Sequence, residues 1–207
     1  EFMLEAITHA GYTPGKEAAL SLDIAASDLF DEASGVYQFR LEHRSFTPAE
    51  FCDLMIAWCD QYPIASIEAP LADTDWVGWK RFYAAVGHRV QVVGDDLFTT
   101  NLTRIERGIT EAVANSVLIK LNQIGTVTET LRAIRRTQAA GWRPIVSARS
   151  GETEDAFIAH LAVATDAGQL KVGSFARSER MAKWNEVLRI ARHLGERACF
   201  IGRNILP

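Results

Sequence analysis

Short apolar runs alternate with longer amphipathic segments along the whole chain of 207 residues, and this alternation constrains the fold more than any other feature. Apolar residues that recur every three or four positions indicate helices, whereas brief apolar runs between them indicate buried strands. Strands that alternate with helices are typical of parallel α/β folds. The predicted strands lie at 19–25, 65–68, 91–93, 116–121, 143–147 and 169–172.

Six amphipathic segments between these strands are predicted to be helices. The clearest begins after Thr47, a typical N-cap, with Pro48 at the first helical position and Glu50 three residues after the cap. In the stretch 30–44, Ser34 and Gly35 separate two alternating runs, which predicts a small inserted hairpin. The predicted helices lie at 48–61, 75–86, 102–111, 127–140, 155–167 and 177–193.

The composition is that of an ordinary globular protein and favours a small-molecule partner. Lys and Arg number 22 against 26 Asp and Glu, a net charge of −4, which argues against nucleic-acid binding. No run approaches the roughly 20 apolar residues that cross a bilayer, so we expect no membrane insertion. Cys52, Cys59 and Cys199 are expected to be reduced thiols, the first two buried, in a cytoplasmic protein.

Neither linkers nor shifts in composition interrupt the pattern, so we expect a single domain over residues 3–207. Residues 1–2 precede a methionine and are interpreted as cloning residues. Zinc is not expected, because the cysteines and the five histidines lack the spacing of metal ligands.

Ionisable side chains follow all six predicted strands, and this is the strongest functional signal. Parallel βα folds, whether open sheets or barrels, place their chemistry at the carboxyl ends of the strands. Acidic residues end the first three strands and basic residues the last three. The set is Asp23, Glu68 and Asp95, then Lys120, Arg149 with Ser150, and Lys171.

Three carboxylates without thiolates or imidazoles favour a hard divalent cation, and Asp23, Glu68 and Asp95 are therefore candidate Mg²⁺ ligands. The alternative interpretation is that each acid caps the helix that follows its strand. Lys120 interrupts an apolar run and is a candidate general base, or else a lysine that extends from a strand end to solvent.

Lys171 is a candidate base by the same reasoning, or a cation that pairs with a ligand. Arg149 beside Ser150 combines a guanidinium with a hydroxyl, which suits a phosphate or a carboxylate. Together these residues predict cation-assisted removal of a proton next to a carboxylate.

Six segments of the chain resemble enolase, the phosphopyruvate hydratase of glycolysis, and they occur in the order of that family. The first three surround the candidate metal ligands, and the last three include the candidate base and the phosphate-binding residues. They read ALSLDIAAS at 19–27, SIE at 66–68, VGDDL at 93–97, IKLNQIGT at 119–126, RSGETED at 149–155 and RSER at 177–180.

This resemblance implies a partial TIM-type (β/α) barrel of about six parallel βα units, Mg²⁺ as cofactor, and reversible dehydration of 2-phosphoglycerate, a small phosphorylated hydroxy acid, to phosphoenolpyruvate. Lys120 would abstract the α-proton. Asp23, Glu68 and Asp95 would bind Mg²⁺, whereas Arg149, Ser150 and Lys171 would bind the substrate.

Two positions depart from the family pattern. Ala69 stands where enolases usually have aspartate after the second metal ligand, and Ala148 stands where they usually have histidine before the arginine. Because alanine carries neither charge nor a hydrogen-bonding group, both substitutions remove polar support from the expected site.

The chain is also shorter than the barrel it resembles, which takes about 250 residues. The resemblance implies that the family's amino-terminal domain, its first barrel strands and its two catalytic glutamates lie outside this sequence. An unclosed barrel exposes sheet edges, so we expect a homo-oligomer or an association with the missing segment.

Three functions follow from these observations. The first is an enolase-type hydro-lyase, and the second is a non-catalytic, oligomeric enolase-like domain that serves in binding or as a structural protein. The two alanines favour the second, whereas retention of all candidate ligands and both lysines favours the first. The third is another Mg²⁺-dependent proton-abstracting enzyme with an altered substrate.

Overall fold

Parallel strands, each followed by a helix, form the framework of the chain, and the computed structural model describes all residues, 1–207. Tertiary contacts divide the chain into two units. Unit 1 comprises residues 1–97, 108–115 and 206–207, and unit 2 comprises 98–107 and 116–205.

Unit 1 contains three parallel strands and a small antiparallel sheet. Its elements are α1 (Phe2–His9), β1 (Leu20–Asp23), β2 (Phe30–Asp31), β3 (Val36–Phe39), β4 (Arg44–Phe46), α2 (Pro48–Gln61), β5 (Ile64–Glu68), α3 (Trp76–Val86) and β6 (Gln91–Gly94). Strand β5 lies between β1 and β6 and is parallel to both. Strands β2, β3 and β4 form the antiparallel sheet in that order.

Helix α4 (Leu102–Glu111) begins among the residues of unit 2 and ends among those of unit 1. Unit 2 contains β7 (Ser116–Ile119), α5 (Leu121–Ile124), α6 (Val127–Ala139), β8 (Arg143–Ser147), α7 (Phe157–Ala164), β9 (Leu170–Lys171) and α8 (Ser178–Leu194). Strand β8 lies between β7 and β9, again in parallel. None of the helices is both long and apolar enough to span a membrane.

All six predicted strands and all six predicted helices are confirmed, with differences only at their ends. Helix α7 covers residues 157–164 of the predicted 155–167, and β1 covers residues 20–23 of the predicted 19–25. The chain is therefore an α/β protein with six successive parallel βα units, the pattern of a partial TIM-type barrel.

The predicted N-terminus of α2 is confirmed in detail. The Thr47 hydroxyl accepts a hydrogen bond from the Glu50 backbone N–H, and the Glu50 carboxylate accepts one in return from the Thr47 backbone N–H at 2.8 Å. Cys52 and Cys59, on this helix, are buried as expected, and neither forms a disulfide. Burial raises the pKa of the Cys59 thiol to about 11.

The predicted hairpin forms, with Gly35 at φ +68°, but it is longer than the sequence indicated because β4 adds a third strand. Its aromatic side chains explain the addition. Tyr37 is completely buried, with its ring 4.1 Å from that of Phe51 on α2. Phe46, on the added strand, lies 5.3 Å from Phe39, so β4 completes an apolar face that packs on the helix.

Tyr37 also fixes the loop that follows β5. Its hydroxyl oxygen accepts a hydrogen bond from the Ala72 backbone N–H at 2.8 Å, and the Ala72 carbonyl accepts one from Trp79 Nε1 at 3.0 Å. Burial raises the pKa of Tyr37 to about 12, so the phenol stays neutral at physiological pH. The antiparallel sheet thus anchors the loop that begins directly after Glu68.

We predict that Tyr37→Phe lowers the free energy of unfolding by about 1–3 kcal/mol, because the buried Ala72 N–H loses its acceptor while the ring stack remains. Urea denaturation would measure the loss. Tyr12→Phe is the matched control, since Tyr12 is 56% exposed. An equal, negligible effect of both substitutions would contradict the anchoring role.

Candidate functional site

The acidic candidates of unit 1 lie at the ends of three neighbouring strands. Asp23, the last residue of β1, is directly opposite Glu68, the last residue of β5. Glu68 is in turn opposite Val93 on β6, and Asp95 follows β6 immediately. Parallel pairing therefore brings the three predicted metal ligands to one edge of the sheet, as the sequence indicated.

The three carboxylates differ in their environment. Glu68 is only 6% exposed, Asp95 is half-buried and Asp23 is exposed. Glu68 is therefore the candidate ligand that is most shielded from water. The alternative interpretation, in which each acid caps the following helix, is not needed for α3, because Asp75 supplies that cap.

The chemistry of this donor set fits a hard divalent cation, because all three ligands are carboxylate oxygens. The side chains are nevertheless not gathered into a finished centre: no three Asp, Glu, His or Cys side chains converge closely enough to hold a metal ion. The candidate ligands therefore lie on adjacent strand ends, but their side chains do not converge on a common metal position.

Backbone hydrogen bonds connect the same strand ends beyond the sheet. Glu68 O accepts from Ile24 N–H at 3.0 Å. Ala69 forms two of these hydrogen bonds: its N–H donates to Val93 O at 3.0 Å, and its carbonyl accepts from Ala26 N–H at 3.1 Å. Ala69 has φ +45°, in the left-handed region that alanine rarely adopts.

The basic candidates of unit 2 occupy the equivalent edge of its own three strands. Lys120 comes directly after β7, and Lys171 ends β9 opposite Ser147, the last residue of β8. Arg149 follows β8 by two residues and donates a hydrogen bond from Nη1 to Asn122 Oδ1 at 3.0 Å. Lys120, Arg149 and Lys171 are half-buried, whereas Ser150 is exposed.

Lys120 is positioned by a strained threonine. Its backbone N–H donates to Thr100 Oγ1 at 2.9 Å, and that hydroxyl donates to Gln123 Oε1 at 2.7 Å. Thr100 is completely buried and, with Thr99, has a positive φ of 55° and 46° respectively. Such conformations are outliers for β-branched residues and concentrate near functional sites.

Arg180 on helix α8 holds the loop after β8 through hydrogen bonds that were not predicted from the sequence. Arg180 Nη1 donates to Val172 O at 2.7 Å and to Arg149 O at 3.1 Å, and its Nη2 donates to Ser150 O at 3.1 Å. Arg180 is the last residue of the RSER motif, but the amino-acid sequence does not indicate that its side chain binds three backbone carbonyls.

Ala148 lies where this loop leaves β8. It is 8% exposed, and its backbone N–H donates to Lys171 O at 2.9 Å. Its methyl group cannot supply the hydrogen bond or the charge of the histidine that the resemblance implies at this position.

These features define a class of protein: an α/β protein with TIM-type βα units and ionisable residues at the carboxyl ends of its strands. The whole chain, residues 1–207, matches the family described as the enolase C-terminal TIM barrel domain. Enolase 1 of Desulfitobacterium hafniense (strain Y51) is 51% identical to it over 205 residues. The chain belongs to the enolase family.

That alignment covers 99% of this chain and 47% of the relative, so the chain spans about half of the relative's length. The predicted resemblance is thereby confirmed over the whole sequence. Membership of the enolase family also implies a metal cofactor in general.

We predict that Ala69→Gly raises the free energy of unfolding by up to about 1 kcal/mol, because glycine adopts positive φ without the steric cost of a Cβ atom. Thermal denaturation would measure the shift. The matched control is Ala85→Gly in the exposed part of α3, expected to destabilise by about 0.5–1 kcal/mol. Destabilisation of similar size by both substitutions would show that Ala69 is unstrained.

Proposed function

We propose that the chain is the barrel part of an enolase-type, Mg²⁺-dependent lyase, which dehydrates 2-phosphoglycerate reversibly to phosphoenolpyruvate, a step of glycolysis. One observation carries this proposal: within a chain that matches the enolase family throughout, every predicted acid and base lies at or just beyond the carboxyl end of a strand.

Asp23, Glu68 and Asp95 would bind Mg²⁺ through their carboxylate oxygens. Bound Mg²⁺ would neutralise the negative charge that develops on the substrate carboxylate when the α-proton leaves. The hydrogen bonds at Ile24, Ala26 and Ala69 hold the strand ends that carry these ligands, so the backbone contributes to their spacing.

Lys120 would act as the general base. Its Nζ, in the neutral form, takes the proton from the α-carbon, and the electron pair of that C–H bond then forms the new double bond as the β-hydroxyl departs. Thr100 holds the Lys120 backbone and so limits where the amine can reach. The proton donor for the departing hydroxide is expected among the family's glutamates outside this sequence.

Arg149 and Ser150 would bind the substrate phosphate, and Lys171 its carboxylate. Guanidinium and ammonium groups suit these anions because they supply several charged donors. The hydrogen bond between Arg149 Nη1 and Asn122 restrains the guanidinium before the substrate arrives.

A specific observation favours a second candidate, an enolase-like domain without catalysis that serves in binding or as a structural protein. Ala69 and Ala148 both lie beside candidate site residues and supply no polar side chain there. In that case the carboxylates would still bind Mg²⁺, although no turnover would occur.

We further propose that the protein is cytoplasmic and forms a homo-oligomer, or associates with the segment that completes the barrel. Strands β1 and β9 support association, because each has a paired neighbour on one side only.

We predict that this chain, completed by the segment that carries the family's glutamates, forms phosphoenolpyruvate from 2-phosphoglycerate only with Mg²⁺. Lys120→Ala is expected to reduce turnover at least about 100-fold by removing the base. Ultraviolet absorbance of the product would follow the reaction, with the oligomeric mass measured in the same sample. Lys80→Ala, which removes an exposed lysine of α3, is the control.

Three results would separate the candidates. Unchanged turnover in the Lys120→Ala variant would reject the assigned base. Absence of turnover in the completed barrel without substitutions, with Mg²⁺ binding still measurable by calorimetry, would favour the non-catalytic domain. Absence of both would contradict the metal site itself.

A further inference from the structure

Helix α8 carries a completely buried lysine. Lys183 is 0% exposed and is the only fully buried residue of the 17 in this helix. An ammonium group is costly to remove from water, and it persists in such a position only when charged or polar partners compensate. The partners of Lys183 therefore indicate what its burial achieves.

Both partners of Lys183 belong to the loop that follows β8. Its Nζ forms an ion pair with Glu152 Oε2 at 2.9 Å and donates a hydrogen bond to the Thr153 carbonyl. This loop has little apolar anchorage of its own, since Ser150, Gly151 and Thr153 to Asp155 are exposed. Lys183 thus holds an otherwise exposed segment.

Glu152 connects Lys183 to the backbone of Arg149. One carboxylate oxygen, Oε2, binds Lys183, and the other, Oε1, accepts the Arg149 backbone N–H at 2.7 Å. Burial alone would raise the pKa of Glu152, but the hydrogen bonds from Lys183 and from the Arg149 backbone outweigh it and lower the pKa. The carboxylate is therefore ionised and held at both oxygens.

We propose that Lys183 is a positioning residue, which acts through Glu152 to hold the backbone of Arg149 and Ser150 where this segment would bind the substrate phosphate, a role that rests on the proposed function. Arg180 binds the carbonyls of these two residues directly, whereas Lys183 acts on the Arg149 N–H through the Glu152 carboxylate. The two basic residues of α8 therefore restrain both the N–H and the carbonyl groups of one short segment.

The test combines hydrogen exchange with ligand binding in the Lys183→Met variant, which preserves side-chain length and removes the charge. Amides of residues 148–156 are expected to exchange at least about tenfold faster, and those of β7 to remain unchanged. The dissociation constant for 2-phosphoglycerate with Mg²⁺ is expected to rise at least about tenfold. Lys80→Met is the matched control, without effect on either measurement.

A second variant separates positioning from mere charge compensation. Lys183→Met removes the ion-pair partner of the Glu152 carboxylate, so the variant can lose stability for that reason alone. Lys183→Met combined with Glu152→Gln removes both charges and is expected to recover stability, while the loop still exchanges fast and binds ligand weakly. Recovery of slow exchange and of unmodified affinity in this double variant would overturn the positioning role.

Failure of this inference differs from failure of the proposed function. If the unmodified protein does not bind 2-phosphoglycerate, the proposed function is contradicted, and the exchange of residues 148–156 decides alone whether Lys183 holds the loop. If the unmodified protein binds but Lys183→Met changes neither exchange nor affinity, the role of Lys183 is contradicted and the proposed function stands.

Discussion

Parallel strand pairing is the constraint on which the candidate site depends. Because β1, β5 and β6 run in the same direction, each ends at the same edge, and a match of Asp23 with Glu68 follows from the register. A shift of one residue would turn every side chain of a strand to its other face. Hydrogen bonds between backbones thus bring the acids of unit 1 to one edge of the sheet.

The sequence predicted the elements well because hydrophobic period and capping are local properties. The Thr47 cap, the helix start at Pro48 and the six strands needed no knowledge of distant contacts. The third strand of the antiparallel sheet was missed because its reason is tertiary: Phe46 packs with Phe39 and Phe51. Helix α1 was not predicted, and none of its residues is buried, so no core packing accompanies it.

The positions of the candidate site residues were predictable from the sequence, as the strands were, because they depend on where each strand ends. Residues that end strands could be named from their positions, and all of them lie at or beside strand ends. The groups that hold them were not predictable. Thr100, Arg180 and Lys183 act from other segments, 8 to 31 residues away from the groups they bind. The sequence alone does not distinguish a buried lysine from an exposed one.

Ala69 bears on how the site could change over evolutionary time. Its backbone conformation is one that aspartate and asparagine adopt more readily than alanine, and it is held by hydrogen bonds to two neighbouring strand ends. The backbone at this position thus has a conformation suited to the aspartate that the resemblance to enolase implies there. A single substitution, Ala69→Asp, is therefore expected to place a carboxylate at this strand end without steric strain in the backbone.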